Sequence, residues 1–123
     1  DKDTIKKTYE LSLELCTSGW NTYPAMALPG SALYKEGIEK GIQMPKSYSG
    51  YSFHAYDTVC LPTEKLEPWE ILKLRDDAFV NYHVNPKFLN RIKKRFGIKA
   101  VDNIKQMSKI KLTRKLVEEN LKS

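Results

Sequence analysis

The side chains with the greatest capacity for chemistry are two histidines, two cysteines and a serine that follows a glycine. His54 lies within Ser-Phe-His-Ala-Tyr-Asp, and His83 stands two residues before an Asn-Pro pair. No His-x-x-x-His or Cys-x-x-Cys spacing occurs in the sequence, and such spacings are typical of zinc sites. We therefore expect no metal site built from this chain alone.

The two histidines carry different expectations. His83 closes a predicted helix, where a cation complements the helix dipole, so its role is expected to be structural. His54 lies in an irregular segment among aromatic residues and is the histidine better placed to touch a ligand, although a role without any ligand is the more common outcome.

Nucleophiles and acid–base pairs are incomplete. Ser31 follows Gly30, but the Gly-x-Ser-x-Gly pattern of a nucleophile elbow is absent, and a helix-capping role is expected instead. Asp76 and Asp77 are adjacent on a predicted helix and so point to different faces. Cys16 falls on an apolar helical stripe, which indicates a core residue. No complete active site is predicted.

The elements that would position these residues begin with a helix over Thr4–Cys16. Tyr23–Leu28 is apolar or small at every position, which predicts a strand with little water on either face. Pro29 and Gly30 end it, because proline lacks an N–H and glycine tolerates a positive φ. Ser31 can then cap a helix that reaches Lys40.

The rest of the chain is predicted to be helical after a long loop. Residues 42–62 show no helical period, with a short extended piece expected at 57–61. Helices are predicted over 68–82, over 86–96 after an Asn85 cap, and over 99–121. The sequence thus predicts an α+β fold, predominantly helical, with residues 1–44 as one helix–strand–helix unit, 45–62 as a connecting loop and 63–123 as a helical region.

Composition narrows the class of protein. The 123 residues suit one domain, and the first residue is Asp rather than Met, so a fragment or processed chain is expected. No apolar run approaches the roughly 18 residues of a membrane span. Two cysteines 44 positions apart are too few for a disulfide framework. A cytoplasmic location is therefore expected.

Positive charge is concentrated in the second half. Residues 63–123 hold 15 basic and 8 acidic residues, a net charge of +7, against −1 for residues 1–62. Residues 85–107 have the outline of a helix-turn-helix, in which Lys93, Lys94 and Arg95 could neutralise phosphates. The alternative, a solvated helix face, is the more common one. Because no base-reading residues open the final helix, nucleic acid is not the expected partner.

The stretch Ala-Met-Ala-Leu-Pro-Gly-Ser-Ala-Leu-Tyr resembles a strand-to-helix corner of radical S-adenosylmethionine enzymes that carry an N-terminal cobalamin-binding domain. The residues that match are Pro29, Gly30, Ser31, Leu33 and Tyr34. Residues 3–15 and 56–92 are similar to segments on either side of that corner. The group includes anaerobic magnesium-protoporphyrin IX monomethyl ester oxidative cyclases and iron–sulfur oxidoreductases of unknown substrate.

This resemblance implies that the chain is the C-terminal part of such an enzyme: one α/β unit of its partial barrel, followed by a helical extension. A [4Fe–4S] cluster, S-adenosylmethionine and, as a further candidate, cobalamin would serve the parent. The cluster-binding Cys-x-x-x-Cys-x-x-Cys motif has no counterpart here, so this fragment is expected to bind no cofactor and to catalyse nothing alone. Its partners would be the remainder of the parent polypeptide and a small-molecule substrate.

The resemblance also implies a site. In α/β barrels ligands bind where strands end, which places the corner at the rim of the substrate cavity and lets the Tyr48–Asp57 loop cover it. The candidate rim residues are Met26, Pro29, Gly30, Ser31, Tyr51 and His54. The competing hypothesis is a small basic helical module that binds nucleic acid or a protein. The predicted apolar strand Tyr23–Leu28 needs neighbouring strands that this chain does not provide. This requirement favours the C-terminal part of a radical enzyme over the basic helical module.

Overall fold

Helices account for nearly all the regular structure of residues 1–122, the part of the chain that the computed structural model describes. The α-helices are α1 (Lys2–Leu15), α2 (Ala32–Glu39), α3 (Pro68–His83), α4 (Pro86–Phe96), α5 (Ile98–Lys109) and α6 (Lys115–Leu121). A single 3₁₀ turn, Tyr48–Tyr51, lies between α2 and α3. Within this part of the chain, no helix combines the length and the apolar character that a membrane crossing requires.

The predicted strand at Tyr23–Leu28 is absent. Residues 1–122 contain no strand and no sheet, so the expected α+β fold with a barrel unit is wrong. The carbonyl of Ala25 accepts a hydrogen bond from the N–H of Leu61 at 2.9 Å, but no ladder develops around it, and Pro24 has no N–H to donate. Tyr23 and Leu28 are 58% and 54% exposed, so the apolar pattern did not indicate burial on both faces.

Polar side chains cap the starts of α1 and α4. The Asn85 side chain accepts from the N–H of Lys87 at 2.9 Å, with Pro86 at the first helical position of α4. Asp1 and Thr4 form a reciprocal capping box, so α1 begins at Lys2, two residues earlier than predicted. Between α4 and α5, Gly97 has a φ of 83°, which side-chain-bearing residues rarely adopt. Local polar chemistry therefore defines these boundaries.

The single C-terminal helix predicted over 99–121 is two helices, α5 and α6. Residues 110–114 leave the helical path, and the N–H of Lys115 donates to the carbonyl of Tyr56 at 2.9 Å. The Arg114 guanidinium reaches the Ala55 carbonyl at 3.1 Å. These tertiary hydrogen bonds outweigh the weak preference of residues 110–114 for continuing the helix.

The chain folds into two units, each assembled from separated segments. The first unit combines residues 1–22 with 76–111, and the second combines residues 23–75 with the segment from Leu112 onward. The division predicted at residues 44 and 62 stays a prediction.

The core of the first unit is aromatic. Trp20 stacks on Tyr82 with ring centroids 5.6 Å apart, and the Tyr82 hydroxyl donates to the Thr17 carbonyl at 3.0 Å. His83 is buried, with Nδ1 2.7 Å from the Phe79 carbonyl. The buried core residues are Cys16, Tyr82, Phe88, Ile92 and Val101. Cys16 is thus a core residue, as its position on the apolar stripe indicated.

Some predicted core positions are exposed. The helical spacing of Phe96 from Phe88 and Ile92 predicts that it shares their buried face, but Phe96 is 56% exposed, and the Arg95 guanidinium lies 5.5 Å from the centre of its ring. The sequence also predicts that Leu11 and Leu15 broaden the apolar stripe of α1, but both are exposed. On α1 and α4 the stripe of buried residues is consequently narrower than the set of apolar residues.

Candidate functional site

The Pro-Gly-Ser corner is a closed, hydrogen-bonded turn at the start of α2. The backbone N–H of Ser31 donates to the Leu28 carbonyl at 3.0 Å, and the Ser31 hydroxyl donates to the same carbonyl at 2.7 Å. That hydroxyl also accepts from the N–H of Tyr34 at 3.1 Å, so Ser31 caps α2 as predicted. These hydrogen bonds therefore fix the angle at which the backbone enters α2.

Gly30 has a φ of 85°, and a Cβ at this position would meet nothing within 4 Å. The requirement for glycine is therefore conformational rather than steric, because L-residues with side chains are strained at positive φ. Pro29, Gly30 and Ser31 are all exposed, and Met26 is half-buried. The corner thus presents open space beside its backbone.

Aromatic contacts join the 45–58 loop to the segments flanking the corner. The Tyr51 hydroxyl lies near the Tyr34 hydroxyl of α2, and partial burial, followed by the neighbouring tyrosine hydroxyls, raises the pKa of Tyr51. Tyr23 and Phe53 pack with ring centroids 4.6 Å apart. Tyr51 therefore lies beside the helix that the corner opens, whereas the His54 side chain is exposed.

The loop itself has a fixed internal structure. Asp57 accepts hydrogen bonds from the hydroxyls of Ser49 at 2.6 Å and Ser47 at 2.9 Å, and these bonds lower the pKa of its carboxyl. The N–H of Val59 donates to the Gly50 carbonyl at 3.1 Å. A Cβ on Gly50 would stand 2.6 Å from Cβ of Pro45, so only glycine fits at this position. A loop this well closed presents its side chains in a defined arrangement.

Arg114 supports the loop from the C-terminal segment. Its guanidinium is buried and donates to the Ala55 carbonyl and to the Thr58 hydroxyl oxygen, each at 3.1 Å. The Thr58 hydroxyl lies 2.5 Å from the Ser52 carbonyl and 2.6 Å from that of Ala55. Tyr56 donates to Glu118 at 2.9 Å, and this bond is the main cause of the raised pKa of Tyr56. The loop is therefore tied to residues about sixty positions away.

Sequence reasoning selected Tyr51 and His54 from this loop but missed Asp57, Thr58 and Arg114. The sequence did contain a signal for Asp57. Ser47 and Ser49 supply short hydroxyl donors, and Asp57, a few residues further along the same loop, supplies an acceptor. Arg114 gave no such signal, since it stands in a basic stretch where each cation is expected to be solvated.

Both cysteines are buried free thiols. Cys60 is buried and donates to the Pro68 carbonyl at 3.4 Å, and burial raises the pKa of its thiol to about 11. In residues 1–122 no group of three His, Cys, Asp or Glu side chains could hold a metal ion. An iron–sulfur cluster held by three thiolates does not fit a chain with two cysteines.

The buried Cys60 thiol makes stability depend on pH. Its pKa rises from an ordinary 9.0 to about 11 in the folded chain, so the folded state holds this proton more tightly. Its contribution is fully present below pH 9 and should be lost between about pH 9 and 11, by up to about 3 kcal/mol. Urea unfolding at pH 8 and pH 10.5 measures this loss, relative to the ordinary titration of the other groups.

Cys60→Ala is the matched control. It lowers stability at every pH by removing buried volume, but it should show a smaller decline than the wild-type chain between pH 9 and 11. Equal declines in both proteins would contradict the assignment to Cys60.

Comparison of the chain with protein-family models, with curated proteins and with solved structures finds no match.

Proposed function

We propose that this chain is the C-terminal part of a radical S-adenosylmethionine iron–sulfur oxidoreductase of the cobalamin-binding-domain group. In this proposal residues 26–31 border the substrate cavity of the parent, and Tyr51 and His54 lie on the loop beside it. One observation carries it: the residues of the motif, Pro29 to Tyr34, form a single hydrogen-bonded corner with open space at Gly30. Because glycine has no side chain, a small-molecule substrate or cofactor can come close to the backbone at Gly30.

Apolar exposure around the corner supports a covering partner. Four large apolar side chains of this region are exposed: Tyr23, Leu28, Leu33 and Ile38. In this proposal they belong to one apolar patch of the kind that marks an interaction surface, and the remainder of the parent polypeptide is the partner that the resemblance implies. Residues 23–28 form no strand in the structure, so the proposal assigns them no strand of a barrel.

The cofactors of the proposal belong to the parent. A [4Fe–4S] cluster and S-adenosylmethionine would be bound by residues outside this sequence, and cobalamin is a further candidate. The substrate is a small molecule. The proposal places the protein in the cytoplasm. The free thiols of Cys16 and Cys60 support this compartment, because disulfides are rare there.

Cluster content tests the assignment. Anaerobic reconstitution of the polypeptide encoded by the complete reading frame should give one cluster per chain by iron and sulfide analysis, held by a Cys-x-x-x-Cys-x-x-Cys motif upstream of Asp1. The 123-residue chain should give none under the same conditions. A reading frame without that motif, or a stoichiometric cluster on the 123-residue chain, would refute the proposal.

Two substitutions test the corner in the complete enzyme. Gly30→Val forces a branched side chain into a positive φ, which costs about 1–3 kcal/mol locally, and it fills the open space beside the backbone. Turnover or cofactor affinity should fall while most of the fold remains. Ser31→Thr keeps the capping hydroxyl and should be nearly silent.

Activity and melting temperature of both variants decide the outcome. If Gly30→Val retains wild-type turnover and cofactor affinity, the corner is only a turn and does not border a cavity. If Ser31→Thr lowers turnover as much as Gly30→Val does, the added methyl group is not tolerated and Gly30 has no special role at the corner.

A further inference from the structure

A basic groove runs along one face of α4 in the first unit. It is an open cavity of about 620 Å³ lined by Cys16, Lys87, Asn90, Arg91, Lys94 and Arg95. Four of these six residues carry a positive charge. Because Phe88 and Ile92 of α4 are buried in the core, the packing of the helix fixes which of its side chains remain outside the core.

The charge of the groove is not neutralised within the part of the chain that the structure describes. None of its four cations lies within ion-pair distance of a carboxylate among residues 1–122. Residues 86–111 contain nine basic residues and one acidic residue, Asp102. Like charges three or four positions apart on a helix repel one another, so an anion bound among them would relieve this repulsion.

Two features organise the groove for a ligand. The Nζ of Lys87 donates to the Glu14 carbonyl at 3.0 Å, which holds that ammonium at one end. Lys87, Arg91 and Lys94 follow one another at four- and three-residue steps, so they lie on the same side of α4 and span about 10 Å along its axis. The amide of Asn90 adds a hydrogen-bond donor between them.

We propose that this groove binds a small ligand carrying two or more linked phosphate groups. Guanidinium groups at Arg91 and Arg95 can each donate two parallel hydrogen bonds to a phosphate, which a lysine cannot do. A cavity of about 620 Å³ falls within the range that holds small-molecule ligands, about 300–1,000 Å³. Lys87, Arg91 and Lys94 extend over only about 10 Å of the helix axis, so an extended acidic peptide or a nucleic-acid strand would place most of its charge outside the groove.

Calorimetric titration of the 123-residue chain with inorganic triphosphate, at low ionic strength, tests the proposal. Wild type should bind one triphosphate per chain. The double variant Arg91→Gln/Lys94→Gln should bind at least about tenfold more weakly, because it removes two charged hydrogen-bond donors to the phosphates. Both positions are exposed, so the melting temperature should stay near that of wild type.

Lys99→Gln/Lys105→Gln is the matched control, since it removes two exposed charges from α5 without touching the groove. It should change affinity by less than about twofold, the residual effect of net charge under weak screening. Equal losses in the two double variants would overturn the proposal, because binding would then follow net charge alone. Absence of triphosphate binding, or tighter binding of hexaglutamate or of single-stranded DNA than of triphosphate, would also overturn it.

Discussion

Tyr82→Ala is expected to lower the free energy of unfolding of the first unit by about 3–5 kcal/mol. Tyr82 is fully buried, stacks on Trp20 and also contacts Phe88, with ring centroids 5.1 Å apart. Its removal leaves a cavity that neighbouring aromatic rings cannot fill by small rotations, because cores are close-packed. Since whole domains are stable by only about 5–15 kcal/mol, this loss should leave much of the population unfolded at moderate temperature.

Tyr82→Phe separates packing from hydrogen bonding. It keeps the ring and removes only the hydroxyl that donates to the Thr17 carbonyl, which should cost about 0.5–1.5 kcal/mol. Urea unfolding followed by the fluorescence of Trp20 in the Trp69→Phe background measures both variants. If the Phe variant proves as unstable as the Ala variant, the bond to Thr17, and not the aromatic core, holds α1 in place.

Arg114→Met is expected to destabilise the second unit by about 2–3 kcal/mol and to open the 45–58 loop. The methionine retains an apolar stem, but it leaves the Ala55 carbonyl and the Thr58 hydroxyl without the guanidinium that contacts both. Chymotrypsin should then cleave after Tyr51 and Phe53 faster than in wild type, as identified by mass spectrometry.

Lys111→Met is the control, because Lys111 is an exposed cation three residues earlier and such surface changes usually stay within about 0.5 kcal/mol. Cleavage after Tyr82, in the other unit, serves as an internal reference and should change little in either variant. Unaltered loop cleavage in Arg114→Met would show that Ser47, Ser49 and Asp57 are sufficient to hold the loop closed.

Local signals predicted local structure well. The Asn85-Pro86 start of α4 and the Ser31 cap of α2 were both correct, because a cap depends on residues within one turn of it. The same reasoning failed at Tyr23–Leu28, where an apolar pattern describes what a segment could bury but not whether a neighbouring strand exists. A strand is defined by its partner, and none of residues 1–122 supplies one.

At the candidate site, too, the sequence predicted local geometry but not contacts between residues that are far apart in the chain. Gly30 and Ser31 were identified from a short motif, and their local geometry is a turn and a cap, as expected. Arg114 reaches Ala55 and Thr58 across 59 and 56 positions, and no periodicity in a basic stretch distinguishes a buried arginine from a solvated one. The break between α5 and α6 has the same origin, since the backbone of Lys115 pairs with Tyr56.

The assembly of the first unit from two separated segments has a consequence for synthesis. Thr17 and Tyr82 are joined by a hydrogen bond across 65 positions, so α1 leaves the ribosome well before the residues that cover its apolar stripe. At a translation rate of about 5–20 residues per second, Tyr82 is synthesised roughly 3–13 s after Thr17. Phe88 and Val101 follow later still. During that interval Trp20 and Cys16 have no core to enter, and helices of this length are marginal in water by themselves. The nascent chain is therefore most vulnerable to chaperone capture or aggregation in the seconds before α4 emerges.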